Sequence, residues 1–296
     1  MSSAPSTPPA VPARRWVRIF LALANLGAFI ALALMSLYRA FGQTLDQFAF
    51  DVIASHTRIA ALTDWVGVER HSMLVLVAGT LVAMAVAAAR KRFALAARVG
   101  VMVVGANITT QILKNWVLHR PYLGVGYDLP NSFPSGHGTV LLSLAFAFTV
   151  VTTQRHRSWV AVVLALVAAL GSILIVASGW HRPSDLLGSL MVVMVWVLTL
   201  CPQEVPTRPR DNWQTFSLSI SAAVVLLLAA LAWGALPSLD MVSVSYLQGN
   251  SYPAVAGRYP RLVTATAVIV PIFLTAIYLL CLQIVATLQS GWRGRR

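Results

Sequence analysis

NSFPSGHGTVLLSLAFAFTVV, residues 131–151, runs from a polar opening into an apolar stretch. Pro and Ser are favoured where helices begin, so the segment reads as a helix start. A helix N-terminus presents unpaired backbone N–H groups and the positive end of a dipole, which suits an anion. A histidine at that spot, His137, can exchange protons with a bound phosphate. The same residues therefore raise a structural reading and a chemical one, and the rest of the chain has to choose between them.

The chain has 296 residues, of which 58% are hydrophobic and 10% charged. A soluble domain carries about 25% charged residues. With a mean hydropathy of +0.74, this composition describes a multi-pass protein of the cell membrane. A spanning helix needs about 20 mainly apolar residues. Eight stretches qualify: roughly 16–38, 72–89, 93–113, 138–153, 158–178, 185–201, 213–235 and 262–288. The expected fold class is all-α, a polytopic transmembrane helix bundle of about eight spanning helices. Residues 1–15, MSSAPSTPPAVPARR, are Pro- and Ser-rich and read as a disordered cytoplasmic tail. The apolar run after them is too long for a signal-peptide core, so it reads as a retained anchor. Cys201 and Cys281 have no CxxC spacing and no His neighbour, which points to neither metal nor disulfide.

The net charge of +13 lies in short clusters between apolar runs. That pattern orients a membrane protein and argues against a nucleic-acid partner. With the N-terminus inside, Arg14, Arg15, Arg18, Arg90, Lys91, Arg92, Arg155, Arg157, Arg208, Arg210 and the Arg residues at 293, 295 and 296 all fall on the cytoplasmic side. Asp46, Asp51, Asp64, Glu69, Asp128, Asp185 and Asp240 fall on the other. Both termini are expected in the cytoplasm. Two longer outer segments remain. Residues 39–71 carry apolar residues at three- and four-residue steps, as one or two amphipathic helices at the membrane surface would. Residues 236–261 carry Tyr246, Tyr252 and Tyr259 among Gly and Pro.

This topology brings three polar stretches to the outer face: KNWVLHRP at 114–121, PSGH at 134–137 and SGWHRPSD at 178–185. Charges at helix ends near a bilayer are functional candidates. Lys114, Arg120 and Arg182 suit a phosphate, Arg as a bidentate fork and Lys as a point charge. Ser135 and the backbone N–H groups of Ser135 and Gly136 offer further donors. His181 and Asp185 stand four apart, so a helix starting near His181 would turn both to one side. The carboxylate then accepts from one imidazole nitrogen and leaves the other able to attack. His137 is a second, independent histidine, fitted to protonate a leaving oxygen and then to deprotonate water.

These residues resemble the type-2 phosphatidic acid phosphatase superfamily of membrane lipid phosphatases. Its motifs are K-x-x-x-x-x-x-R-P, P-S-G-H and S-R-x-x-x-x-x-H-x-x-x-D. The second stands intact as Pro134, Ser135, Gly136 and His137; the third keeps His181 and Asp185. The first stands as Lys114, Arg120 and Pro121, one residue short. Ile175 occupies the position of the third-motif Arg, and Leu174 that of the preceding Ser. The resemblance implies a six-helix phosphatase-type core within residues 16–201, with 202–296 adding two transmembrane helices and a basic cytoplasmic end. It implies His181 as the nucleophile that becomes a phosphohistidine, His137 as acid and base, Lys114 and Arg120 as phosphate ligands, and no metal or other cofactor. The implied substrate is a lipid phosphate monoester or pyrophosphate met at the outer face, prenyl or glycerolipid. A phosphotransferase that replaces water with another acceptor, and a transport or non-catalytic protein on the same scaffold, are the alternatives. Vanadium haloperoxidases share the motifs, but eight membrane spans argue against one.

Overall fold

The computed structural model describes residues 12–55, 68–125, 131–201 and 212–290, the side chains of 12–15, 68–70 and 289–290 excepted. Among them are eleven α-helices and no strand. They are α1 (Pro12–Tyr38), α2 (Ala40–Ala54), α3 (Val68–Ala89), α4 (Phe93–Ile112), α5 (Gly136–Val151), α6 (Arg157–Ala177), α7 (Pro183–Leu200), α8 (Asn212–Gly234), α9 (Leu236–Leu247), α10 (Tyr252–Arg258) and α11 (Pro260–Ser290). A π-helical turn, Leu113–Val117, continues α4.

Seven helices are long and apolar enough to cross a bilayer: α1, α3, α4, α6, α7, α8 and α11. The eighth expected span is α5, with only 16 residues. At 1.5 Å per residue it covers about 24 Å, less than the roughly 30 Å of a hydrocarbon core. It tolerates this because it is wrapped by protein: Leu142, Phe146 and Val150 are fully buried. Helix α1 begins at Pro12, inside the stretch expected as tail. The rest of that tail, His56, Asp64, Asp128, the Arg residues at 208 and 210 and those of the basic C-terminus lie outside the described residues.

The basic residues at the end away from the polar stretches are tied into the fold. Arg18 donates through Nε and Nη2 to the Leu198 carbonyl at 2.9 and 2.6 Å. Arg90 Nη1 donates to the Val151 carbonyl at 2.6 Å, and Arg157 Nη2 to that of Thr152 at 2.8 Å. The last carbonyls of α5 and α7 have no partners within their own helices, so cations from neighbouring elements complete them.

Helix α7 runs through the centre, packed by α1, α4 and α5. Small residues on α6 (Ala161, Ala165, Ala168 and Ser172) are fully buried one turn apart, a spacing that lets a neighbouring helix approach closely. Helix α11 packs along α6. Ser172 Oγ lies 3.0 Å from Tyr278 Oη, and Gln283 exchanges two hydrogen bonds with Ser158. The segment beyond residue 201 is thus built into the same core.

The amphipathic helix expected over 39–71 is present as α2, but both of its sides are covered. Phe48 and Val52 pack with Val242 and Tyr246 of α9 and Val255 of α10. The opposite side meets the loop after α4 and the start of α7. Residues 56–67 lie outside the described residues.

Candidate active site

His181 precedes α7, whose N-cap is Arg182 and whose third residue is Asp185. A helix leaves its first N–H groups unpaired, and an acidic side chain at this position can turn back to accept from them. Asp185 Oδ2 accepts from Arg182 N at 3.0 Å. The same oxygen accepts from Ser132 Oγ at 2.7 Å and meets His181 Nδ1 at 3.2 Å. Both side chains are buried, His181 6% exposed and Asp185 2%. A carboxylate only accepts, so Nδ1 carries the proton and Nε2 carries the lone pair. The pair comes together through a helix cap, with His181 outside the helix, and not along one face of it.

The PSGH stretch is held against that cap. Ser135 is the N-cap of α5, its side chain accepting from Gly138 N at 3.0 Å. Ser135 N donates to the Asp185 carbonyl at 3.0 Å, and Ser189 Oγ donates to the Ser135 carbonyl at 2.7 Å. Ser135 N–H is therefore engaged by protein, which corrects its expected part as a phosphate donor. Gly136 N–H stands next at this helix start. A Cβ on Gly138 would come within 2.8 Å of Leu186 and 3.1 Å of Ser189 Oγ, so glycine lets α5 close onto α7. That closeness puts the rings of His137 and His181 5.9 Å apart, centroid to centroid, with Trp180 5.3 Å from His137.

The cations come from two directions. Lys114 lies in the π-turn, a rare form that is frequent at functional sites. Asn131 Nδ2 bonds the Lys114 and Leu118 carbonyls at 3.2 and 3.1 Å, tying this turn to the loop before PSGH. Arg120 Nη2 is buried with no hydrogen-bond partner among the described residues. Burial, and then the nearby Arg182, lower the Arg120 pKa. Arg182 is 7% exposed; its Nε and Nη2 donate to Gln47 Oε1 at 3.1 and 2.9 Å. Two neighbouring arginines, one with an unpartnered buried nitrogen, make a place where an anion would relieve both desolvation and repulsion. Ile175 is buried against Ile53 and Leu186, so the third-motif position is apolar here and Arg182 is the cation nearest His181 in sequence.

Helix α2 supplies what motif reading missed. Gln43 Nε2 donates to the Pro121 carbonyl at 2.9 Å, beside Arg120. Asp46 accepts from Ser184 N at 3.0 Å and from Ser184 Oγ at 2.6 Å. Gln43, Asp46 and Gln47 stand three and four apart, and that polar spacing was the available signal. Burial, and then the nearby Asp185 charge, push the Asp46 carboxyl up to about 6, against the hydrogen bonds from Ser184. The unfolded chain gives up this proton near the ordinary 3.8. The group's contribution is thus full below that value and is lost as pH rises towards 6. Asp46→Asn keeps one acceptor for Ser184 and removes the charge. Its midpoint of thermal unfolding in detergent should gain on the parent's as pH goes from about 4 to 7. A difference that is flat with pH would refute the burial cost.

A cleft of about 1360 Å³ leads away from the two histidines. Lys114, Gly136, His137 and His181 form its polar end; the remainder is lined mainly by apolar residues of α3 and α4, with Ser72, Thr80, Asn107, Gln111 and Asn115 among them. From Ala97 to Trp116 its α4 wall spans about 29 Å at 1.5 Å per residue. Leu81, Val101, Val104 and Ile108 are each at least half exposed along it, so it opens sideways towards lipid. Among the described residues, no three His, Cys, Asp or Glu side chains gather as metal ligands.

Residues 95–210 match the family model of the PAP2 superfamily. They hold Lys114, Arg120, the PSGH stretch, His181, Arg182 and Asp185; Gln43, Asp46 and Gln47 lie outside them. The chain is also similar to the Escherichia coli (strain K12) protein named "Putative undecaprenyl-diphosphatase YbjG", at 29% identity over 33% of this chain. The match spans 54% of that relative's length. No solved structure matches the chain. Through residues 95–210, the stretch that encloses the two histidines and the PSGH turn, this protein is similar to the PAP2 superfamily.

Proposed function

We propose that this protein hydrolyses a lipid phosphate monoester or pyrophosphate through a phosphohistidine on His181, without a metal. One observation carries the reading: two histidines 5.9 Å apart stand at the polar end of a cleft whose lining is otherwise mainly apolar. His181 Nε2 attacks phosphorus, an N–P bond forms and the bond to the leaving oxygen breaks. His137 gives that oxygen its proton. Water then attacks the phosphohistidine, His137 takes the water's proton, and inorganic phosphate leaves as the N–P bond breaks. Lys114, Arg120, Arg182 and the Gly136 N–H are the donors for the phosphoryl oxygens, where charge gathers in the transition state.

The cleft suits a long chain entering from the bilayer, and the name of the Escherichia coli relative directs attention to undecaprenyl pyrophosphate. The clustering of Arg18, Arg90 and Arg157 at the end away from the site supports an outward-facing site and cytoplasmic termini. Purified protein should release phosphate from undecaprenyl pyrophosphate equally well with and without chelator. Intact cells bearing it should hydrolyse a membrane-impermeant short-chain prenyl phosphate supplied outside, and His181→Ala cells should not. Loss in chelator would overturn the metal-free reading. Hydrolysis only after permeabilisation would put the site in the cytoplasm. Phosphate found on an added alcohol, with none released, would make the protein a transferase.

A further inference from the structure

Arg182 is a buried cation that no carboxylate pairs with among the described residues. It is held instead by a neutral amide, that amide is held by Asp51, and what holds Asp51 lies in the segment beyond residue 201. Gln47 Nε2 donates to Asp51 Oδ1 at 2.8 Å, and Tyr246 Oη donates to Asp51 Oδ2 at 2.8 Å. Every group in the chain Tyr246, Asp51, Gln47, Arg182 is used in one sense only. The carboxylate accepts twice, and the amide oxygen faces the guanidinium while its NH₂ faces the carboxylate. A flipped Gln47 would turn donors towards Arg182, so Asp51 fixes the amide and Tyr246 fixes Asp51. The backing is tight. Thr44 Oγ1 donates to Ser243 Oγ at 2.7 Å, and the rings of Phe48 and Tyr246 meet edge to face at 6.5 Å. Arg182 also lies over the Phe50 ring, 5.8 Å from its centre.

We propose that α9 sets the phosphate-binding arm: Tyr246, Asp51 and Gln47 are positioning residues that hold Arg182 with its remaining guanidinium edge towards the bound phosphoryl group. The proposal rests on the phosphatase reading for what Arg182 holds. It gives α9 a part in the chemistry although the helix lies outside the family-matched residues. A flexible arginine would lose rotamer freedom on each binding event, whereas one fixed in advance loses less.

Tyr246→Phe keeps the ring in its apolar cluster and removes only the hydroxyl. Two readouts on the full-length purified protein are used: kcat and KM on undecaprenyl pyrophosphate, and the rise in Tm produced by inorganic phosphate. Arg182→Ala should lose about 10- to 100-fold in kcat/KM, one charged hydrogen bond's worth. Tyr246→Phe and Gln47→Leu should each lose a part of that, with a smaller phosphate-induced rise in Tm. In the Arg182→Ala background neither should lose anything more. Arg182→Lys should regain some activity, because a point charge still attracts phosphate. Equal losses from Tyr246→Phe in both backgrounds would overturn the relay and leave Tyr246 a merely structural residue. A parent that binds phosphate but hydrolyses nothing would sink the phosphatase reading, and the relay would then be judged on the Tm shifts alone. A parent that neither binds nor hydrolyses overturns both.

Discussion

His181→Ala protein will fold, reach the membrane and release no measurable phosphate. The loss should be on the order of 10⁴-fold or more, since the proposed mechanism loses the group that forms its covalent intermediate. Folding should survive because the cap of α7 does not depend on the ring. Asp185 Oδ2 keeps its bonds from Ser132 Oγ and Arg182 N. The informative comparison is Asp185→Asn, which keeps the shape and changes the partner. An amide that turns its NH₂ towards Nδ1 favours the tautomer with its proton on Nε2, where the attacking lone pair should be. That variant should keep weak activity while His181→Ala keeps none. Rapid quenching of the parent should trap an acid-labile phosphoryl group, and His181→Ala should trap none. Near-parental turnover by His181→Ala would remove the phosphohistidine altogether.

How much of this was legible in the sequence depends on the range of each interaction. Membrane helices announce themselves by local composition, so the run at 158–178 appears as Arg157–Ala177 and that at 213–235 as Asn212–Gly234. The run at 138–153 begins two residues earlier, because Ser135 caps Gly138 N and admits Gly136 and His137 to the helix. His181 with Asp185 was readable because a contact four residues apart needs only a local turn. Its form was not, since spacing alone does not tell a helix face from a cap. The hydrogen bond of Ser135 N to the Asp185 carbonyl spans fifty residues of chain, and nothing local announces it. Helix α2 shows the same limit. Its apolar periodicity was plain, but periodicity says which residues share a face and not what that face meets. Gln47 could therefore not be paired with Arg182, nor Asp51 with Tyr246, until the fold brought together residues 135 and 195 positions apart.

His137→Ala should lose about 10²- to 10⁴-fold, the usual worth of general acid–base catalysis. Where the loss falls should depend on the substrate. In a phosphate monoester the leaving group is an alkoxide, which cannot depart without a proton, so the variant should stall before the N–P bond forms. In a pyrophosphate the leaving group is itself a phosphate, whose final ionisation lies near pH 6. It can leave unassisted, and the first step should survive. The second step has no such relief, because water still has to lose its proton as it attacks His181-bound phosphorus. His137→Ala given undecaprenyl pyrophosphate should therefore show one rapid turnover per site and then accumulate phosphoenzyme, while the same variant given undecaprenyl phosphate should show neither. The geometry permits this division because His137 belongs to α5 and His181 stands just before the cap of α7, their rings edge to face at 5.9 Å. One histidine can be removed without displacing the other. An equal deficit on both substrates, with no phosphoenzyme on either, would mean that His137 holds the phosphate and does not move protons.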